Sequence, residues 1–275
     1  MADSENPGSL SERQRAALFE QYQNAETAAL YEERWQRFKS NWAVYENQWR
    51  TLGREIAAAR GKVVGLQQTE LLAAIGWILP SEMSFRDLAS FVLEDADLTV
   101  GRVDEFFIDY YDSDGGCEFL EMKTRLISSP QLSFWRPLLQ QCLSAFERGD
   151  YAICVPSLLT MVEGIVEAQW PVTVRKAKER TKFFDNKIQI GGSQTPDACE
   201  SWVLQSHWRS IKAFVENVFE GSVHPRQDYP IPKRNLILHG KSDPAQWDRA
   251  DCLRLFQAIA VIAWFSERLA EEVQG

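Results

Sequence analysis

Tyr31, Trp35, Phe38, Trp42, Tyr45, Trp49, Leu52 and Ile56 recur at alternating spacings of four and three, and every one of them is aromatic or aliphatic. Such spacing lays side chains along one stripe of an α-helix, whereas a strand needs them at alternate positions. Glu32, Glu33, Arg34, Lys39, Ser40, Glu46, Asn47 and Arg50 fill the gaps, and no Gly or Pro falls between Ser9 and Gly53. The pattern predicts one long heptad-like helix. Its stripe either packs on the rest of the same chain or forms a subunit or target interface, where aromatic side chains are favoured. No run of Val, Ile and Thr alternates strictly anywhere in the chain, so the expected fold class is all-α.

Charge and cysteine usage narrow the function classes. The chain has 275 residues with 39 acidic and 30 basic side chains, a formal net charge of -9, which argues against a bulk coat for duplex DNA. A local basic patch for RNA or a nucleotide stays open, because binding answers to the field at the site. Cys117, Cys142, Cys154, Cys199 and Cys252 are odd in number, widely spaced and form no C-x-x-C pair. That argues against a disulfide framework and a zinc site, and fits a reducing compartment. The start, MADSENPGSL, has neither a basic nor an apolar stretch, and apolar runs such as Ala258 to Phe265 are short beside the roughly 20 residues that span a bilayer. We expect a soluble cytoplasmic protein with no membrane partner.

After Gly61 and Gly65 the expected helices are Thr69 to Leu79, stopped by Pro80, then Phe85 to Glu94 with Ser84 and Asp87 as a capping-box-like start, then Val103 to Tyr111. Asp112, Asp114 and Gly116 suggest a calcium loop. The twelfth position is Lys123 where a bidentate Glu is needed, and the sixth is Cys117 where Gly is needed, so the segment reads as a turn. Residues 1–130 are read as a helical regulatory or interaction region and 131–275 as a separate helical domain. In the latter, Ser133 to Glu147 is a helix closed by Gly149, and Asp150 opens another that runs to about Gln169 and is bent by Pro156. Its apolar stripe includes Val155, Leu158, Leu159, Val162 and Val166, with Glu163 on or beside it. Glu163 either reaches water at the edge or pairs with a cation of a site.

Arg175, Lys176, Lys178, Arg180, Lys182 and Lys187 make the densest basic run, followed by Phe183 and Phe184. Cations beside aromatics suit a single strand of RNA, while a solvated mobile segment ending in Gly191-Gly192-Ser193 is the plainer alternative. A helix from Ala198 to Phe219 leads to a loop with Pro225, Pro230 and Pro232. Next come Lys233, Arg234, Asn235, Leu236, Ile237, Leu238, His239 and Gly240, a short helix started by Pro232 and stopped by Gly240. Asn235 and His239 are four apart and share a face, so the amide is placed to orient the imidazole. Arg234 lies roughly 100° round from Asn235 and reaches the same pocket only from its margin or from a second subunit. Asp243, Pro244 and Gln246 mark the start of a core helix running from Trp247 to Leu269.

Arg234-Asn235 followed by His239, an R-x4-H with a polar residue after the Arg, placed before the last long helix, resembles the signature of HEPN-domain proteins. The Gly149-Asp150-Tyr151 start and Glu163-Gly164-Ile165 also resemble bacterial members. The resemblance covers about residues 131–275. It implies a HEPN-like helical bundle and a metal-independent endoribonuclease of the toxin-antitoxin or antiviral-defence type, acting as a homodimer with a composite site at its interface. Arg234 and His239 would be catalytic with Asn235 in support, and Glu163 would stand behind the site as an acid that pairs with one of its cations. Arg175, Lys176, Lys178, Arg180, Lys182 and Lys233 would bind RNA, with no cofactor, and an antitoxin or other regulatory protein would be a further partner. Other members keep the fold as non-catalytic modules that bind RNA, nucleotide or protein.

The chemistry stands on its own terms. Cleavage of RNA by its own 2'-hydroxyl needs a group that moves a proton near neutral pH and a cation for the charge building on the phosphate. Histidine and arginine supply these. Against it, Arg234 would simply pair with an acid such as Glu163 while His239 ends a helix. The chain has no G-x-S-x-G, no phosphate loop of the G-x-x-x-x-G-K-[ST] type and no H-E-x-x-H. His207, near Trp208 and Ile211, reads as packed, His224 lies in the proline-rich loop, and Cys252 reads as inert core.

Overall fold

A computed structural model describes residues 66–81, 83, 99–170, 176–193, 198–219 and 232–274. All of them fall within one compact unit, Gly53–Gly275. The heptad stripe of Tyr31 to Ile56, the expected helix at Phe85 to Glu94 and His224 lie outside the described residues. Among the described residues there are eight α-helices, two short 3-10 turns and no strand. In chain order the helices are α1 (Leu66–Ala74), α2 (Val100–Ser128), α3 (Arg136–Glu147), α4 (Tyr151–Gln169), α5 (Ala177–Ser193), α6 (Ala198–Val218), α7 (Arg234–Leu238) and α8 (Arg249–Gln274).

The last helix organises the rest. Leu253, Phe256, Ile259, Ile262 and Phe265 of α8 are fully buried, and the helix packs on α4, α2 and α6. Its middle is apolar on nearly every side, so it has no face to give to water. α3 covers α4, and α6 carries α1 on one side and α5 on another. Both α1 and α2 precede residue 131, and both pack on these C-terminal helices. α8 begins at Arg249, two residues after the expected start, because Asp243 caps the separate turn Pro244–Gln246 by accepting from the Ala245 amide at 3.0 Å.

Two departures from the expected elements have plain causes. α1 ends at Ala74, short of Leu79, since Gly76 turns left-handed at φ 98° and the chain then runs extended to Pro80. α2 continues well past Tyr111, but Ser113, Asp114, Gly115 and Gly116 break it into two helical arms. Asp114 and the two glycines take φ of 49°, 71° and 80°, the left-handed region that glycine enters at no steric cost. The turn read at this point from Asp112 to Gly116 is therefore a break inside a longer helical element.

A polar network is buried where α2 meets α8. The Trp77 indole stacks on Phe107 at 4.4 Å and donates from Nε1 to Asp104 Oδ1 at 2.8 Å. Arg254, 2% exposed, bonds Asp104 through Nη2 and Asp251 through Nη1, the latter at 2.6 Å. Its guanidinium also lies 5.4 Å from the Trp77 ring centre. Next to it, Tyr111 donates to Gln257 Oε1 at 2.9 Å, and Gln257 donates to the Ile78 carbonyl. One cation thus serves two carboxylates. Burial pushes Asp251 up to about 6 and Asp104 above its ordinary value, against the opposing charge of Arg254 in both cases.

Cys142, Cys154 and Cys252 are buried thiols contributed by α3, α4 and α8, and burial pushes Cys142 up to about 11. His207 is 3% exposed and stacks on Phe265 at 5.6 Å, a packed residue as expected. By length and composition one described helix, α4, is long and apolar enough to cross a membrane, and half of its most apolar window is buried inside the protein.

Candidate functional site

α7 is a single turn and a half of helix laid against α4. Leu236 and Ile237 are its buried anchors. Gly240 stops it at φ 65°, and the Lys241 amide returns to the Leu236 carbonyl at 2.7 Å. Wound this way, the segment sends Arg234 toward α4 and leaves His239 exposed at the C-terminal cap.

The guanidinium of Arg234 is held from two sides. Its Nε donates to Glu163 Oε2 at 3.1 Å, while Nη2 lies 3.1 Å from the same oxygen and 3.4 Å from Oε1. Nη1 donates to Asn235 Oδ1 at 3.0 Å. The side chains of Arg234 and Glu163 are 15% and 10% exposed, so the pair is sheltered but its edge meets water. A fork-to-carboxylate contact of this kind fixes the guanidinium plane more firmly than a single bond. The structure therefore brings Arg234, Asn235 and Glu163 together. The Asn235 carbonyl, expected to serve the imidazole, accepts from Arg234.

The next position on α4 makes a second contact. A Cβ on Gly164 would stand 2.4 Å from Trp135 Cζ2, so the indole lies directly against the α4 backbone there. Phe134, 82% exposed, meets Trp135 edge-on at 5.1 Å. Sequence reasoning missed both aromatics, because they fall in the turn just before α3, which begins at Arg136 and not at the expected Ser133, and no helical periodicity flags them. The dipeptide Phe134-Trp135 beside Arg136 was the only available signal.

The basic run is not a loop. From Ala177 to Ser193 it winds into α5, through Gly191 and Gly192, and this divides the charges between faces. Lys178 and Lys182, four apart, remain exposed on one side. Arg180 turns inward and is 4% exposed, its pKa lowered by burial with Glu216 opposing. Lys176 is exposed and pairs with Glu179 at 3.1 Å. Lys187 sits over Phe183 and Trp208, at 5.8 and 6.0 Å from their ring centres. Phe184 is fully buried, and Phe183 packs with Trp170 and Trp208. Phe184 therefore belongs to the core, while Phe183 is half-buried beside Lys187. Arg175 lies outside the described residues.

Lys233, expected to meet RNA, is 4% exposed and donates to the Asn217 carbonyl at 2.8 Å and to the Asn217 side chain. It ties α7 to the end of α6. Among the described residues no group of three or more His, Cys, Asp or Glu side chains is arranged to hold a metal ion. No protein-family model matches the chain, and neither the curated proteins nor the solved structures contain a match.

Proposed function

We propose that the Arg234–His239 segment is the reaction centre of a metal-independent endoribonuclease with a HEPN-like helical bundle, acting as a toxin or antiviral effector. The observation that carries this reading is the sheltered but water-edged Arg234 guanidinium, held by Glu163 and Asn235, with the exposed His239 imidazole one turn further on. Arg234 supplies positive charge to a phosphate at the open edge, and His239 takes the proton of the attacking 2'-hydroxyl or gives one to the leaving 5'-oxygen. Lys178 and Lys182 remain as outlying phosphate contacts.

The geometry of α7 supports reading the site as composite. Arg234 faces α4 while His239 is exposed five residues on, and on this reading one subunit offers the cation and another the imidazole to the same phosphate. Mixing Arg234→Ala subunits with His239→Ala subunits should then restore cleavage, because each mixed dimer contains one site with both residues intact. Two inactive variants that stay inactive after subunit exchange would contradict a shared site.

A second reading has its own support. With three of its nitrogens already bonded to Glu163 and Asn235, Arg234 also serves as a clamp between α7 and α4. On that reading the domain is a non-catalytic module that binds RNA, a nucleotide or a protein partner. Replacing Lys178 and Lys182 by Gln tests RNA binding by α5. RNA affinity should fall and the slope of log K against log salt should flatten by about 1.4 units, roughly 0.7 for each phosphate of a single strand that is no longer neutralised, with unfolding unchanged. An unchanged slope would remove α5 from the RNA-binding surface.

A further inference from the structure

We propose that Phe134 and Trp135 form a subsite that stacks one unpaired nucleobase of an RNA strand beside the Arg234 guanidinium. This rests on the endoribonuclease reading and adds the part of the substrate other than the reacting phosphate. The solvent-facing side of α4 sets the layout. At roughly 100° per residue, Ile153, Thr160 and Glu167 all point between the directions of Glu163 and Gly164. All three are exposed. One border of that strip is Glu163 with Arg234, 3.1 Å apart, and the other is the Trp135 indole lying on Gly164. Adjacent residues of one helix therefore carry the cation and the aromatic.

The rings are placed for a planar guest. Phe134 and Trp135 meet edge to face at an interplanar angle of 89°, so the exposed Phe134 ring is the stacking surface and the Trp135 indole braces it against α4. At 82% exposure Phe134 is the most exposed large hydrophobic side chain among the described residues. A base has a π-face of matching size, and stacking next to cations is how single strands are held without sequence preference. Arg136 follows directly in the chain and is partly exposed. Glu167 on the strip repels phosphates, which turns the bases of a strand toward the strip and its backbone toward Arg234.

The test uses the full-length protein carrying His239→Ala, so that RNA is bound and left uncut. Affinity is read by fluorescence anisotropy with a labelled 12-nucleotide single strand and with strands bearing one abasic position. Phe134→Ala should weaken binding of the intact strand about tenfold. It should have no further effect on the strand whose abasic position already costs the same factor, since both remove the same stacking interaction. Gly164→Ala, which lifts the indole, should reproduce the loss. Equal affinity with and without Phe134 while the parent binds RNA would overturn the subsite and leave the nuclease reading standing. A parent that binds no RNA would overturn both. Conversion of a dimer to a monomer by Phe134→Ala, with RNA affinity retained, would assign the aromatics to self-association and overturn the subsite.

Discussion

Replacing His239 by Ala should lower RNA cleavage by about 10²- to 10⁴-fold, the range that a positioned acid or base contributes. The melting temperature should not move, because the side chain is exposed and substitutions at such positions change stability by less than about 0.5 kcal/mol. Arg234→Ala should remove activity as well, but with a structural cost. Its guanidinium is 15% exposed and neutralises a carboxylate that is 10% exposed, and removing one partner of a sheltered pair costs on the order of 2–4 kcal/mol. Glu163→Gln added to Arg234→Ala should recover part of that stability and none of the activity. Cleavage rates and thermal unfolding of the three variants check this. An active His239→Ala protein would exclude the imidazole from the chemistry.

A stability effect of similar size is expected far from that site. Arg254 is 2% exposed and is bonded to both Asp104 and Asp251. Arg254→Met keeps most of the volume but leaves two neighbouring half-buried carboxylates, 19% and 13% exposed, without their cation, and should cost about 3 kcal/mol at neutral pH. The pH dependence has a definite sign. Asp251 titrates at about 6 in the folded protein against an ordinary 3.8, so between those values the folded state holds the extra proton. The network's contribution to stability is therefore fully present below the lower value and falls as pH rises toward the upper one. Without Arg254 both carboxyls move further up, so the deficit should be greatest at pH 7 to 8 and shrink toward pH 5. Urea unfolding of both proteins across that range measures it. A deficit that does not vary with pH would mean that the carboxylates are not the source.

Local signals in the chain were enough for much of the helical frame. Gly149 and Gly240, both at positive φ, end elements where the sequence places their ends, and α4 and α6 keep close to their expected bounds, while α3 begins at Arg136 and not at Ser133. Glu163 and Arg234 each stand out in the sequence, one as a carboxylate on an apolar face and the other for its motif, and the fold joins them across 71 positions. What could not be read was charge that changes meaning once wound. Arg180 and Lys233 look like surface cations in a basic run, yet α5 and α7 turn them inward to Glu216 and Asn217. The Asp104–Arg254 bond spans 150 positions, and no spacing rule reaches that far. Trp135 gains its meaning only when the turn before α3 sets it on Gly164, with Phe134 against its ring.

The central claim, that this chain cuts RNA through a histidine and an arginine, is tested most directly by the ends of the products. Purified protein incubated with single-stranded RNA in excess EDTA should produce fragments ending in 2',3'-cyclic phosphate, at a rate that changes across the neutral range where an imidazole exchanges its proton. The His239→Ala protein, purified in the same way, should produce them at least about 10²-fold more slowly. Intact RNA at every pH, cleavage that disappears with chelation, or fragments made equally well by the His239→Ala protein would each contradict the account.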